Sequence, residues 1–180
     1  VVALAEVIRE RLDSTREAFK VAPERAHYGP DAYRELVESK LDAVVVQTPP
    51  YFHPEQVRAA VDAGKHVFLA KPAAVDVPGC KSILESGKKA AAKNLSYLID
   101  FQTRAQPVFQ EAALRVHRGD IGKPVFAQVL YYAGRPAKDK SRPGMDPGQA
   151  RVMNFYMDRV LGGDIIVEQN VHVLDVANWY

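Results

Sequence analysis

Short apolar runs alternate with amphipathic stretches through about the first hundred residues, and this alternation constrains the fold more than any other feature of the chain. The runs cover residues 1–5, 41–46, 66–70 and 95–99. Such alternation is typical of βαβ units with a parallel sheet. The run at 41–46 lacks strict polar alternation, as expected for a central strand covered by helices on both faces. We therefore predict an α/β fold with a doubly wound parallel sheet.

The stretches between the runs carry helix start and stop signals. One helix begins at His53 with Pro54 in its first turn, where the missing N–H of proline is not needed, and it ends at Gly64. A second helix begins near Asp76. On that helix Cys80 shares a face with apolar residues at helical spacing, so we predict that its thiol packs in the core.

The pattern changes after the fourth apolar run. It predicts a helix over residues 107–118 and a long strand over 124–132. Residues 134–150 form a loop rich in Pro, Gly and basic residues. Loops of more than about 12 residues are often lids or binding loops, and a solvated insertion is the open alternative. We predict two units, residues 1–100 and residues 101–180.

Charge and cysteine content exclude several classes of function. The chain has 24 Lys and Arg against 22 Asp and Glu, a mixed distribution with a net charge of +2, so we expect no nucleic-acid or membrane partner. No run reaches the ~18 apolar residues of a membrane helix and no leader is visible, so the cytoplasm is the default location, with export left open. The single cysteine has no second thiol for a disulfide or metal site. Both ends break off inside an element, which we interpret as a piece of a longer protein.

Glu6 follows the first apolar run and precedes a helical pattern. In dinucleotide-binding sheets an acid at the end of the second strand accepts hydrogen bonds from the adenosine ribose. An acid there would repel a ribose phosphate, which favours NAD over NADP, although Arg9 and Arg11 weaken that inference. The alternative is an acid that only favours the dipole of the following helix.

Two further strand ends carry polar residues. Thr48, Pro49 and His53 follow the buried run at 41–46, where ligands of open α/β sheets bind, although a plain strand-to-helix turn is the alternative. Lys71 ends the run at 66–70 and is followed by proline. A partly desolvated lysine there would serve as a proton donor or as a hydrogen-bond partner of a reacting hydroxyl, whereas most strand-end lysines are simply solvated.

The last motif is a helical pattern that starts near Gly162 and Gly163. Positions 168, 172, 175 and 179 are spaced four, three and four residues apart, which places Glu168, His172, Asp175 and Trp179 in a row on one face. A carboxylate one turn from a histidine orients the ring and supports its charge while the ring accepts a proton. An ordinary surface ion pair is the alternative. With no second ligand cluster, we predict no metal site.

These motifs occur together and in this order: Thr-Pro-Pro-x-x-His, Ala-Lys-Pro, and Gly-Gly-x-x-x-x-Glu-x-x-x-His-x-x-Asp. In combination they resemble the glucose-fructose oxidoreductase and inositol dehydrogenase (Gfo/Idh/MocA) family, over essentially the whole chain. The resemblance implies a truncated Rossmann-type doubly wound parallel sheet in residues 1–100, followed in residues 101–180 by the start of an α+β substrate domain. It also implies an NAD(P)-dependent oxidoreductase.

The resemblance assigns roles residue by residue. In such enzymes the histidine accepts the proton of the substrate hydroxyl as hydride passes to the nicotinamide, and the lysine binds the same oxygen. The positions that match the catalytic residues are Lys71, His172 and Glu168, the last in place of an aspartate. The positions that match the cofactor contacts are Glu6, Thr48, Pro49, His53 and Lys71. Arg104 and Asp175 are assigned to the substrate.

The chain departs from the family pattern at three places. Ala70 stands where the family usually has glutamate, so Lys71 is tuned differently. Glu168 lengthens the usual aspartate by one methylene, and a shift of about 1 Å is costly in a tuned site. The strand and Gly-x-Gly-x-x-Gly turn that cradle the pyrophosphate are not in the chain, nor is most of the family's C-terminal sheet.

The predicted function is hydride transfer between NAD and a secondary alcohol of a sugar, cyclitol or polyol, with NADP the less favoured cofactor. Two alternatives stay open: an NAD-dependent glycosidase on the same scaffold, and a non-catalytic binding or sensor protein that kept the fold. The expected partners are a small-molecule substrate and further copies of the parent protein. The sugar and the direction of reaction are not predicted.

Overall fold

A computed structural model describes residues 1–134 and 138–180. Five strands form within these ranges: β1 Leu4–Glu6, β2 Ala26–Tyr28, β3 Ala43–Val46, β4 His66–Ala70 and β5 Tyr97–Asp100. Nine α-helices form within the same ranges: α1 Arg9–Phe19, α2 Ala32–Glu38, α3 His53–Asp62, α4 Val77–Ala92, α5 Pro107–His117, α6 Pro147–Met153, α7 Arg159–Gly162, α8 Asp164–Glu168 and α9 Val171–Trp179. Short 3₁₀ turns lie at Pro23–Arg25, Pro50–Phe52, Gln102–Ala105 and Phe155–Met157.

All strand pairs among the described residues are parallel. β1 pairs with β2, and β3, β4 and β5 form a three-stranded sheet with β4 in the centre. In that sheet Val44 lies opposite Val67, and Leu69 lies opposite Ile99. The α/β prediction with a parallel sheet is therefore confirmed. β2 was not predicted, because its sequence Ala-His-Tyr contains no apolar run.

The main core lies between the three-stranded sheet and helices α3 and α4. Val57 and Val61 on α3 and Leu69 on β4 are fully buried. α3 begins at His53 as predicted, and Gly64, with φ of 74°, follows its last turn. Because β4 is the central strand and packs under α3, the residue that follows its C-terminal end is rigidly placed.

The buried face of α4 differs from the predicted one. The helix buries Gly79, Ile83, Ser86 and Ala90, while Cys80 is exposed, so the prediction of a core thiol was wrong. Close packing of neighbouring side chains against Gly79 explains the shift. A Cβ added at Gly79 would lie 2.8 Å from the Cβ of Ala74, so only glycine fits where α4 meets the preceding loop.

The second half of the chain is less regular than predicted. Helix α5 matches the expected 107–118 segment closely. The long strand predicted over 124–132 was wrong, since no strand forms there and Val125 and Phe126 are 93% and 81% exposed. A strand needs a paired neighbour to satisfy its backbone, and the described residues supply none.

The predicted 134–150 loop is only partly described, because residues 135–137 lie outside the described ranges. Its last residues begin helix α6. The division of the chain at residue 100 stays a prediction. No helix within the described ranges has the length and apolar character that crossing a bilayer requires.

Candidate active site

Lys71 follows directly after β4, at the edge where the parallel strands end. Its Nζ donates a hydrogen bond to the backbone carbonyl of Glu168 and a second to the carboxylate Oε2 of Glu168, at 3.1 Å. The two residues are 97 positions apart in sequence. Their side chains are 15% and 3% exposed, so this ion pair is largely shielded from water. The structure thus brings together two residues that sequence motifs assigned to catalysis.

The carboxylate of Glu168 is only half satisfied. Oε2 accepts from Lys71, while the buried Oε1 has no hydrogen-bond partner among the described residues. Burial raises the pKa of Glu168, and the charge and hydrogen bond of Lys71 oppose that rise. A buried carboxylate oxygen without a donor is costly unless a ligand or proton satisfies it. Protonation of Glu168 would relieve this cost, in the direction in which burial shifts its pKa.

The helix that carries the last motif is broken, which corrects the prediction of one continuous face. α8 ends at Glu168 and α9 begins at Val171, with the chain interrupted at Gln169 and Asn170. Ahead of α8, Gly163 takes the left-handed conformation with φ of 78°. As a result Glu168 does not orient the ring of His172 as predicted, and binds Lys71 instead.

Gly162 explains why this segment approaches so closely. A Cβ at Gly162 would lie 2.5 Å from the carbonyl oxygen of Phe155 and 3.7 Å from Cγ of Glu168. Real Cβ atoms do not come that near to a backbone oxygen. The absence of a side chain at Gly162 therefore lets α7 pack beside Glu168 and helps to hold its carboxylate at Lys71.

His172 lies on α9 and is 8% exposed. Its ring stacks on Tyr131, with ring centroids 5.7 Å apart and an angle of 19° between the planes. Burial lowers the pKa of His172, the charge of Lys71 lowers it further, and Asp100 and Asp175 raise it. The net lowering favours the neutral imidazole at neutral pH, which is the form that accepts a proton.

Arg104 and Asp175 bind each other. The guanidinium donates from Nε and Nη2 to the two carboxylate oxygens of Asp175, at 2.8 Å each. It also lies over the ring of Trp179, 5.2 Å from the centroid. Arg104 is 44% exposed at its side chain and Asp175 12%. This ion pair with two hydrogen bonds, the Arg104–Asp175 fork, attaches the 3₁₀ turn after β5 to α9. Asp175 lies one helical turn from His172.

The predicted cofactor residues lie at two strand ends. At β1, Oε1 of Glu6 accepts hydrogen bonds from the backbone N–H groups of Val7 and Ile8, at 2.8 and 2.9 Å. Oε2 accepts none from the described residues. Arg9 lies over the ring of Tyr28, 3.8 Å from its centroid. Glu6 thus holds the start of the helix with one carboxylate oxygen, and its assignment to the cofactor stays a prediction.

At β3 the predicted residues bond internally. Thr48 donates from Oγ1 to Oε1 of Gln56 at 2.6 Å, and Pro49 is buried. His53 is 1% exposed, and its two ring nitrogens face the carbonyl oxygens of Pro72 and Thr48. The ring of His53 is thus enclosed between these two carbonyls, and the assignment of His53 to the cofactor side of the site stays a prediction.

Three residues near the site were missed in the sequence. Asp100 ends β5 beside β4, and the rule that pointed to Lys71, a polar residue at a strand end, would have found it. Tyr131 lay in the wrongly predicted strand. Tyr156, whose pKa is raised first by burial and then by Glu168 and Tyr131, carries no signal in the sequence.

Lys71, at the carboxyl end of β4, forms a candidate catalytic cluster with Glu168 and His172. A parallel sheet with such a cluster at this edge defines a dinucleotide-binding α/β protein. Comparison with known families makes this assignment specific. Residues 1–97 match the model of the Gfo/Idh/MocA family, described as an oxidoreductase family with an NAD-binding Rossmann fold. The chain belongs to this family.

Similar proteins include two inositol dehydrogenases. The myo-inositol 2-dehydrogenase of Thermotoga maritima is 29% identical over 98% of this chain and 46% of its own length. The scyllo-inositol 2-dehydrogenase (NAD(+)) of Bacillus subtilis is 26% identical over 83% of this chain and 38% of its own. The chain thus spans less than half the length of these relatives.

A crystal structure of similar fold is that of scyllo-inositol dehydrogenase from Lactobacillus casei, with bound NAD(H) and scyllo-inositol. It superposes with a TM-score of 0.65 at 23% identity, and the match covers 99% of this chain and 47% of that one. This likeness shows the shared fold. It agrees with the parallel sheet described above.

Proposed function

We propose that the protein is an NAD-dependent oxidoreductase that transfers hydride between the nicotinamide and a secondary alcohol of a polyol, a cyclitol or a sugar. The observation that carries this proposal is the shielded Lys71–Glu168 pair at the end of β4, in the same site as the buried His172. Family membership supports the reaction class. The names of the two relatives, both inositol dehydrogenases, support a polyol substrate.

NAD would be held at the carboxyl ends of β1 and β3, by Glu6 through its ribose and by the turn at Thr48 and Pro49. When bound, NAD supplies the nicotinamide carbon that accepts or returns hydride. The chain contains no Gly-x-Gly-x-x-Gly turn, so the residues proposed here contact the cofactor outside its pyrophosphate.

Lys71 orients the substrate oxygen. An ammonium has three N–H donors, and two of them are used on Glu168. The third is left to donate to the hydroxyl that is oxidised. Because Glu168 keeps the ammonium in place, the charge of Lys71 stabilises the oxygen as it loses its proton.

His172 accepts that proton on a ring nitrogen. Its lowered pKa keeps the ring neutral at neutral pH, and the nearby charge of Lys71 contributes to this lowering.

The test is to mix the purified protein and NAD with a panel of cyclitols, aldoses and glycosides, and to follow NADH by absorbance at the same time as sugar release. We expect NADH to form in equal amounts with the oxidised polyol. His172→Asn should lower kcat by ~10²- to 10⁴-fold, the usual contribution of a general base. His27→Asn is the matched control, because His27 lies on β2 in the other sheet and pairs with Glu35 of α2. Sugar release without net NADH, or an unimpaired His172→Asn protein, would contradict the proposal.

A further inference from the structure

The imidazole of His53 connects the ends of two neighbouring strands. Nδ1 lies 2.9 Å from the carbonyl oxygen of Pro72, the residue directly after Lys71. Nε2 lies 2.8 Å from the carbonyl oxygen of Thr48, two residues beyond β3. The ring therefore spans the gap between the β3 turn, where the cofactor is proposed to lie, and the chain that carries the catalytic lysine.

We propose that His53 is a positioning residue, which fixes the backbone after β4 against the β3 turn and so sets where the ammonium of Lys71 lies. This proposal rests on the role given to Lys71 under the proposed function. His53 itself is 1% exposed, and both of its ring nitrogens face backbone carbonyls, so its role is exerted through the backbone.

The hydrogen-bond partners of the ring support this positioning role. Both partners of the ring are backbone carbonyls, which only accept, so each contact requires an N–H of His53. The neutral ring donates to one carbonyl, and the protonated ring donates to both. Burial lowers the pKa of His53, while the carbonyls of Thr48, Pro72 and Ala73 raise it, and no charged side chain contributes to the shift. In either form the ring donates to at least one of these two carbonyls.

The anchoring of α3 does not depend on this ring. Val57, Ala60 and Val61 pack α3 onto the core with no exposed surface, and Gln56 separately binds the hydroxyl of Thr48. Loss of the imidazole should therefore leave the sheet and helix in place. Loss of the ring should instead loosen the connection between the turn after β3 and the backbone after β4.

The experiment compares His53→Ala and His53→Gln with the wild-type protein and with the control His27→Gln. Glutamine keeps one N–H donor at similar volume, so it should restore part of the function. Three quantities are measured on each: kcat and KM for the polyol, the Kd for NAD by calorimetry, and the rate at which acetic anhydride modifies Lys71, followed by mass spectrometry.

We expect His53→Ala to lower kcat ~10- to 100-fold, since a misplacement of about 1 Å in a tuned site has that effect. Modification of Lys71 should become several-fold faster, because its ammonium is less firmly held at Glu168. The Kd for NAD should change less than about twofold, since Gln56 still binds the hydroxyl of Thr48 in the turn after β3. His53→Gln should lie between wild type and His53→Ala, and His27→Gln should match wild type.

The proposal is overturned if both His53 variants keep wild-type kcat and Lys71 reactivity, or if the Kd for NAD rises tenfold while Lys71 reactivity is unchanged. If His53→Ala does not fold, as seen by circular dichroism, His53→Gln decides the outcome. If the wild-type protein oxidises no polyol, the proposed function fails, whereas the reactivity of Lys71 still tests the positioning role of His53.

Discussion

The candidate site joins two regions that are built differently. Lys71 is placed by the sheet, because β4 is paired on both sides and its Leu69 is fully buried under α3. Glu168 and His172 come from short helices that follow a segment whose Val125 and Phe126 are 93% and 81% exposed. The first region is stabilised by a hydrophobic core and by strand pairing, and the second by a few close contacts.

This difference shows how the site is assembled. The sheet places Lys71 whether or not the second region is docked. Glu168 reaches its position through the Lys71 ion pair and the close approach at Gly162, and α9 is attached through the Arg104–Asp175 fork. Changes in the first region should therefore lower global stability, and changes in the second should mainly disturb the site.

The largest stability effect is expected from Leu69→Ala. The side chain is fully buried in the central strand, so its removal leaves a cavity and should lower the free energy of unfolding by ~2–5 kcal/mol. Leu98→Ala, on the neighbouring strand β5 but 57% exposed, is the matched control and should lower it by less than about 1 kcal/mol. Urea denaturation measures the free energy of unfolding of both variants. Equal losses would contradict the claim that the buried core of the sheet stabilises the first region.

Gly162→Ala tests the second region. The new Cβ would lie 2.5 Å from the carbonyl oxygen of Phe155, so α7 must shift, at a cost of ~1–3 kcal/mol typical of overpacking. Glu168 should move with it, which would lower kcat by more than the loss of stability explains. Gly134→Ala, where a Cβ meets nothing within 4 Å, is the control. Unchanged kcat in Gly162→Ala would show that Glu168 is placed by other contacts.

A smaller effect is expected in the pH dependence of stability. Burial raises the pKa of Glu168 in the folded state, so the folded protein binds a proton at pH values where the unfolded chain has released it. The free energy of unfolding should therefore fall as pH rises from the ordinary glutamate range through the raised pKa, by ~1.4 kcal/mol for each pKa unit, and then level off.

Glu168→Gln should remove this slope, whereas Glu85→Gln, in an exposed glutamate on α4, should keep it. Denaturation curves collected at a series of pH values upward from the ordinary glutamate range provide the measurement. Parallel profiles for wild type and Glu168→Gln would show that the carboxyl is not buried in solution.

Much of the first region was predictable because apolar runs, prolines and glycines act locally. The apolar run at 66–70 matches β4, and the end of this run correctly places Lys71 directly after the strand. Strand β2 was missed because its three residues carry no pattern, and its pairing with β1 depends on the fold as a whole. The exposed Cys80 was misplaced because Gly79 is the residue that packs closely, against Ala74 and against Pro54 of α3, and the contact with Pro54 is tertiary.

The second region was harder to predict for a physical reason. A helical spacing of four, three and four residues suggested one continuous face, but the helix is broken at Gln169 and Asn170, between Glu168 and His172. Its partnership with Lys71 joins residues 97 apart, and no local pattern reports such a contact. The types of residue in the site were predictable, whereas the pairing between them was not.

The most direct test of the account is a double-mutant cycle between Lys71→Met and Glu168→Gln, read as the free energy of unfolding from urea denaturation at pH 7. Removing either partner leaves the charge of the other without its counterpart, so the change in the double variant should differ from the sum of the two single changes. We predict a coupling energy of about 1 kcal/mol or more. Losses that add to within ~0.5 kcal/mol would contradict the claim that this pair joins the two regions into one site.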